Sequence, residues 1–521
     1  MTEISGAGLG RILSELTRQE AYPHPVRRIE VLQTHTSCVF LTGKYAYKVK
    51  KPVNFGFLNY STQELRHKFC EKELFLNRRL CPDLYLDVVP IADDSGQLKI
   101  GGNGNVIDSA VRMIQLPQSE MFSERLLNNT VPVSLIEKLA QVLVTFHKNA
   151  ITNPEISEFG TPGQIRNNIA ENFQQTLQFL NGTTLPVDQF SNIKEYSERL
   201  LADQESLFLN RKEAGCVRDG HGDLRIQNIC LDPHLQNGIQ IFDCIEFNDR
   251  FRCEDVAADL AYLAMDLDLS GRADLRMFLI QEYSSFSGDQ NLNRILPFYQ
   301  CYRAYVRAKI AMFASVEKEI PEDQRQKHKE LAAAAFDLSN SYARPQTQPV
   351  LLITSGVSGS GKSVLSREVA RRLPAILLSS DQIRKELAGA SLNQGLDASW
   401  YQPEKVATVY EELRKRAKAF LQKGENVILD ATFLSEKERT AAAALASFIG
   451  VKFRILACQC PPNVARDRVQ SRNQDHADPS DATLSVLEEQ LKHYQAVKEN
   501  AIVLKTESPP PQLAREVLAS I

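Results

Sequence analysis

The stretch Gly356-Val357-Ser358-Gly359-Ser360-Gly361-Lys362-Ser363 decides the fold of the C-terminal third of this chain. It matches G-x-x-x-x-G-K-[ST], a loop whose glycines let the backbone curl and aim its N–H groups at phosphate oxygens. Gly356, Ser358, Gly359, Ser360 and Gly361 supply that cradle for ATP. Lys362 reaches the β- and γ-phosphates, and the Ser363 hydroxyl enters a Mg2+ shell. An apolar run at 350–353 precedes the loop and a helical pattern follows it, so the positive N-terminus of a helix also faces the phosphates.

Further outward, strands expected at 350–354, 375–379, 426–429 and 452–458 alternate with helices at 363–373, 405–422 and 436–448. This alternation predicts an α/β domain, a P-loop NTPase fold with a parallel sheet covered by helices on both faces. Upstream, residues 339–349 read SNSYARPQTQP, polar with Pro345 and Pro349. They predict a linker, with a boundary near residue 347. The domains are then 25–338 and 350–521, joined by 339–349. A length of 521 residues suits two to four domains. No internal repeat is present, and 332–335 is only a short helical run.

Three features surround the loop. Asp430 ends an apolar strand and is well placed for the Mg2+ shell, with a cap or turn aspartate as the alternative. Asp381 follows another strand. It can take a proton from an acceptor hydroxyl, or cap the helix that starts there. Arg466, Arg468 and Arg472 follow the strand near Cys458; Arg468 and Arg472 are candidates to neutralise transition-state charge, and a solvated basic face is the alternative. From about residue 350 to 521 the chain resembles the P-loop kinase group that includes phage polynucleotide kinase, zeta toxins and chloramphenicol phosphotransferase. Ser380-Asp381-x-x-Arg384 resembles the acceptor-site Asp-x-x-Arg of polynucleotide kinase. That resemblance implies Asp381 as base and Arg384 as a contact to the acceptor.

The N-terminal part reads as α+β. Val39 and Leu41, then Tyr45, Tyr47 and Val49, alternate around the turn Thr42-Gly43-Lys44, so residues 28–50 are expected as strands. Helices are expected at 61–80, 133–148, 165–180, 253–268 and 296–315. A small β-rich lobe is thus followed by a larger helical one. His221-Gly222-Asp223, Asn228 and Asp243 form a loop aspartate, an asparagine five residues on, and a later aspartate at a strand end. In phosphoryl transfer the first orients or deprotonates the acceptor hydroxyl and the other two hold Mg2+. Lys48 on a strand and Glu73 on the next helix form the pair that fixes a lysine against ATP phosphates. Lys50 is the alternative lysine, placed on the opposite face of the strand. Arg303, Arg307 and Lys309 are expected on a solvated helix face, with a substrate role as the alternative.

Residues 25 to 335 resemble the aminoglycoside phosphotransferase family, a branch of the two-lobed protein-kinase-like fold. The resemblance implies Asp223 as the catalytic aspartate, Asn228 and Asp243 as metal ligands, and Asp259 as a brace for the catalytic loop. Glu246 is a further carboxylate near that metal. The loop Gln33-Thr34-His35-Thr36-Ser37-Cys38 has no glycine where protein kinases cover the phosphates. Small-molecule kinases of this fold tolerate serine or threonine there. The whole chain resembles a two-part arrangement, a kinase-like domain fused to a P-loop kinase and usually labelled bifunctional.

A net charge of −3, with 43% hydrophobic and 24% charged residues, is ordinary for a soluble protein and disfavours an extended nucleic-acid surface. Ten scattered cysteines, including the close pair Cys458 and Cys460, read as reduced thiols. Residues 1–20 lack the apolar centre of a signal peptide, and no apolar run suits a membrane helix. A cytoplasmic enzyme is expected, with ATP and Mg2+ at two sites and a hydroxyl acceptor. A small metabolite is preferred to a nucleic-acid 5′-hydroxyl, because no aromatic-rich basic stretch is present. Two other readings stay open: a single P-loop kinase regulated by its N-terminal domain, and a switch-type ATPase.

Overall fold

A computed structural model describes residues 6–521 except 181, 233, 235–237, 319, 345–347, 392–393, 476–482, 496 and 498–499; for 6–7, 398 and 472–475 it describes the backbone alone. The chain divides into two compact units. The first is Met1–Asn168, Leu201–Leu263 and Phe278–Tyr299, and the second is Ile169–Leu200, Ala264–Met277 and Gln300–Ile521.

In the first unit the expected hairpin forms. β1 (Glu30–Gln33), β2 (Ser37–Leu41) and β3 (Tyr45–Lys50) pair antiparallel, and Gly43, at φ +92°, makes the left-handed turn between β2 and β3. β4 (Tyr85–Asp94), β5 (Gln97–Ile100) and β6 (Asn105–Ile114) complete a six-stranded sheet in the order β1-β2-β3-β6-β4-β5. Period-2 side chains divide its two faces. Phe40, Tyr47, Val49 and Ile91 pack on Ile12 of the helix Gly6–Glu15 and on Leu16 just after it. Ala46, Val111 and Met113 pack on Cys70 and Leu74 of the helix Gln63–Asn77, which Thr62 caps through its hydroxyl. Further along lie two short ribbons. β7 (Val217–Asp219) pairs with a later strand, and β8 (Ile229–Cys230) pairs with β9 (Gln240–Ile241). The strand that meets β7 is β10 (Cys253–Asp255), so the helix expected from 253 begins instead at Val256.

The second unit contains the parallel sheet. β11 (Val350–Ser355), β12 (Ala375–Ser379), β13 (Asn426–Asp430), β14 (Lys452–Gln459) and β15 (Ala501–Lys505) align in the order β12-β13-β11-β14-β15. Leu351 and Ile353 face Val409, Leu413, Ala442 and Ala446 of the helices Pro403–Leu421 and Glu436–Ile449. Val350 and Leu352 face Leu365, Val369, Leu513 and Val517 of the helices Lys362–Ala370 and Pro510–Ala519. Burial on both faces explains why β11 reads as an unbroken apolar run. This mixed α/β arrangement, with the glycine loop between β11 and the helix Lys362–Ala370, has the layout of a P-loop domain.

Two expectations need correction. Ser339, Ser341, Tyr342 and Ala343, at the head of the expected linker, are buried in the helix Glu322–Ala343. Their polar groups are satisfied inside: the Ser339 hydroxyl donates to the Cys301 carbonyl at 2.9 Å, and the Tyr342 hydroxyl donates to Asp268 at 2.5 Å. Residues 345–347 lie outside the described residues. The face expected to be solvated is also not so: Arg303 is buried, and Lys309 donates to Asn172 at 2.6 Å and Gln175 at 2.7 Å. No helix among the described residues is long and apolar enough to cross a membrane, and all ten cysteines are free thiols.

Candidate active sites

The loop after β11 folds around three glycines of positive φ, Gly356 (+154°), Gly359 (+77°) and Gly361 (+83°). Close approach fixes two of them as strongly as their torsions do. A Cβ on Gly359 would stand 2.4 Å from the Ala465 carbonyl oxygen, and one on Gly356 would stand 2.6 Å from that of Cys458. Gly361 is the N-cap of the helix that Lys362 opens. The Lys362 ammonium donates to the Val357 carbonyl at 2.7 Å. The Ser358 amide donates to Gln490 Oε1 at 2.7 Å, and the Ser360 hydroxyl is buried with no hydrogen-bond partner among the described residues.

Around this loop the carboxyl edge of the sheet gathers charge. Asp430 ends β13 and is buried; burial pushes its carboxyl up, the Asp381 charge acts the same way, and the Ser363 hydrogen bond and Lys362 charge oppose them. Ser379 pairs in register with Asp430, which brings Asp381, two residues on, to the same edge. The helix beginning there is capped by Ser379, whose side chain accepts from the Gln382 amide, so capping does not fall to Asp381. Asp381 instead accepts from Arg384 at 2.5 Å, and the Arg384 guanidinium lies 4.8 Å from the Tyr401 ring centroid. Arg468 donates to the Gly359 carbonyl (3.3 Å) and the Thr506 carbonyl (2.7 Å), tying the loop to the residue after β15. Arg466 is the solvated member of the trio, paired with Glu488 at 2.7 Å. The side chain of Arg472 lies outside the described residues.

A second cluster lies in the first unit. Contrary to the sequence expectation, Lys50 does not face away from Lys48. Residues i and i+2 of a strand share a face, and both ammoniums meet Glu73 on the helix Gln63–Asn77. Lys48 Nζ lies 2.8 Å from Glu73 Oε1 and Lys50 Nζ 2.6 Å from Oε2. Lys48 also reaches Asp243 at 2.5 Å, and Lys50 and the Tyr60 hydroxyl both bond Glu246. Burial pushes Glu73 up, but the two ammoniums outweigh it and hold the carboxyl below its usual range. Asp243 behaves alike: burial raises it, Lys48 outweighs burial, and it falls to about 2.

Asp259 accepts from the amides of His221 (2.6 Å) and Gly222 (2.8 Å), which fixes the loop leading to Asp223. Behind it His147 contacts Asp259 at 3.4 Å and the Tyr283 hydroxyl at 2.7 Å. Burial lowers the His221 imidazole. Asn228 donates to Asp223 Oδ2 at 3.0 Å, Arg225 donates to the same oxygen at 2.8 Å, and the Asn228 carbonyl accepts from the Phe242 amide, next to Asp243. The glycine-free turn between β1 and β2 is closed by Thr34, whose hydroxyl accepts from the Ser37 amide at 3.0 Å. Tyr60, His147, Gln490 and Thr506 escaped the sequence reading, since nothing in their local pattern marks them. Lys50 was within reach by strand parity alone.

Among the described residues, no group of three or more His, Cys, Asp or Glu is gathered to hold a metal. Ser363 and Asp430, which share a hydrogen bond, and Asn228 and Asp243 carry hard oxygens of the kind Mg2+ takes.

Residues 351–497 match the family described as AAA domain. A Mycobacterium tuberculosis relative, Uncharacterized protein Rv2004c, is 30% identical over 462 residues, covering 87% of this chain and 89% of its own. The Mycobacterium bovis relative Uncharacterized protein Mb2027c aligns to the same extent. Among solved structures, similarity is found to a sugar kinase from Janibacter sp. HTCC2649 (22% identity, 33% of this chain and 93% of that one, TM-score 0.27). It is also found to the Mycobacterium tuberculosis APS kinase CysC in complex with AMPPNP and APS (20% identity, 33% and 96%, TM-score 0.26).

Proposed function

The chain belongs to the family of its two mycobacterial relatives, which align along most of its length, and from that premise we propose that it is an ATP-dependent phosphotransferase with two Mg-ATP sites. Its main support is the convergence of Lys362, Ser363, Asp430 and Asp381 at the carboxyl edge of the parallel sheet, beside the glycine loop. There the loop amides and Lys362 hold the phosphates, and Asp381, kept beside Arg384, takes the proton of the attacking hydroxyl. Arg384 contacts the acceptor. Arg468 and Arg472 neutralise charge on the transferring group. Ser363 and Asp430 would hold Mg2+, which would supply charge neutralisation to the phosphates.

In domain 25–338, which we read as protein-kinase-like, Lys48 anchored by Glu73 grips ATP phosphates. Asp223 accepts the acceptor proton, and Asn228 and Asp243 offer oxygens to the metal. The P-loop kinase domain is 350–521. The acceptor is a small metabolite bearing a hydroxyl, and the free thiols suit the reducing cytoplasm where ATP is made. The direct Lys48–Asp243 ion pair favours a second reading, in which the N-terminal domain binds nucleotide without turnover and regulates the P-loop site.

The test is Mg-ATP consumption over a pooled library of metabolites and short 5′-hydroxyl oligonucleotides, with wild type beside Asp223→Ala and Lys362→Ala. Different acceptors surviving in different variants support two kinase sites. Loss with Lys362→Ala alone reduces the N-terminal domain to a regulator. Phosphate release that needs no acceptor sinks the transferase and leaves a switch-type ATPase.

A further inference from the structure

We infer that Lys50 is a second positioning ammonium of the N-terminal site, holding Glu73 and Glu246 in place so that Lys48 is free to engage phosphate. The inference rests on that site being a nucleotide site. Lys50 is 1% exposed and Glu73 is fully buried. With Lys48 as its only partner, Glu73 would become an uncompensated buried carboxylate whenever Lys48 swung toward an anion, and such a charge resists being left alone. Lys50 removes that obstacle by engaging the other oxygen of the same carboxylate, at 2.6 Å.

Its second contact acts on the opposite side of the site. Glu246, clasped by Lys50 and by the Tyr60 hydroxyl, lies three residues beyond Asp243. Asp243 sits at φ +63°, a left-handed conformation that non-glycine residues seldom adopt and that needs surrounding contacts to persist. The Lys50–Glu246 clasp is such a contact. The Lys50 ammonium also lies 4.8 Å from the Tyr60 ring centroid, which leaves it little freedom to travel. Of two lysines on one strand face, the inner is thus fixed by two carboxylates and a phenol. The outer, Lys48, is 15% exposed in its side chain and faces the partly exposed Asp243.

The experiment titrates Mg-ATP into the full chain by calorimetry, on a Lys362→Ala background that weakens the P-loop site, with melting temperature recorded for every variant. Lys50→Met is expected to weaken binding about tenfold, and Lys50→Arg to recover most of it. Parent affinity in Lys50→Met overturns the inference, including when the melting temperature falls, because that outcome leaves Lys50 a purely structural role. If Lys50→Met does not fold, the charge-matched pair Lys50→Met/Glu246→Gln decides. Weakened binding in that folded pair supports the inference and parent affinity overturns it. Lys48→Met separates the two levels. If it too leaves Mg-ATP affinity unchanged, the nucleotide reading of the site has failed, and the role of Lys50 fails with it.

Discussion

At residues 356–363 the groups that face phosphate are backbone amides curled by three glycines, whereas between Lys48 and Asp243 they are side chains brought together across 195 residues of chain. The first site is sensitive to volume, because its glycines touch carbonyl oxygens of the neighbouring segments. The second is sensitive to charge, because two ammoniums and three carboxylates balance one another. A site made of backbone is written in one short string. A site made of ion pairs is written in residues that acquire meaning only when folded.

The strongest way to break this comparison is to remove one chemical group from each site. Lys362→Ala and Asp223→Ala should each slow transfer to their own acceptor by about 10⁴-fold, roughly 5 kcal/mol of barrier, and leave the other acceptor nearly untouched. Steady-state kinetics with each purified acceptor checks this, and a variant that silences both would deny two independent sites. Next is a buried carboxylate of the second unit. Asp337 is buried and accepts from Arg372 (3.2 Å), Arg515 (3.0 Å) and Gln189 (2.9 Å), all within the second unit. Asp337→Ala removes the shared carboxylate, but Arg372 keeps Glu368 and Arg515 keeps the Thr184 carbonyl, so stability should fall by about 2 kcal/mol in urea unfolding of the full chain.

A third effect belongs to the charge-built unit. Burial pushes the Asp108 carboxyl from 3.8 up to about 6, against the opposing Arg66. The folded state therefore binds this proton more tightly than the unfolded chain. Its contribution is most favourable below pH 4 and is lost as pH rises through 6, by about 3 kcal/mol in all. The stability difference between wild type and Asp108→Asn, measured from pH 4 to 7, should shift by that amount, and a flat difference would refute it. Smaller still, Gly359→Ala alters no charge, yet should weaken Mg-ATP at the P-loop about tenfold in calorimetry. Arg466→Ala removes only an exposed pair and should leave the melting temperature unchanged.

The sequence was most legible where periodicity and burial agree. β11, β12, β13 and β14 begin where strands were expected, whereas the edge strand β15 (Ala501–Lys505), with only Leu504 buried, was not expected. β4 escaped notice because register shifts at Tyr85/Asp87 and Ile91/Ala92 break its alternation. Residues 339–343 looked like a linker because their hydroxyls and amides find partners only in three dimensions. Lys50 shows a different failure: the period-2 rule was sufficient and points to the same face as Lys48. The dispersed residues of the N-terminal cluster could be nominated by order along the chain, but not their shared use of Glu73.

The bond from the Ser358 amide to Gln490 has a thermodynamic consequence for the P-loop. The carboxamide oxygen is tethered to the same chain, on the helix Leu484–His493, so it competes for that amide at a fixed effective concentration that dilution cannot lower. An incoming anion that uses this amide must displace it, and the measured affinity is the intrinsic one reduced by that internal competitor. By linkage, the same displacement loosens the helix's hold on the loop, so occupancy of a single amide is felt along a helix of ten residues.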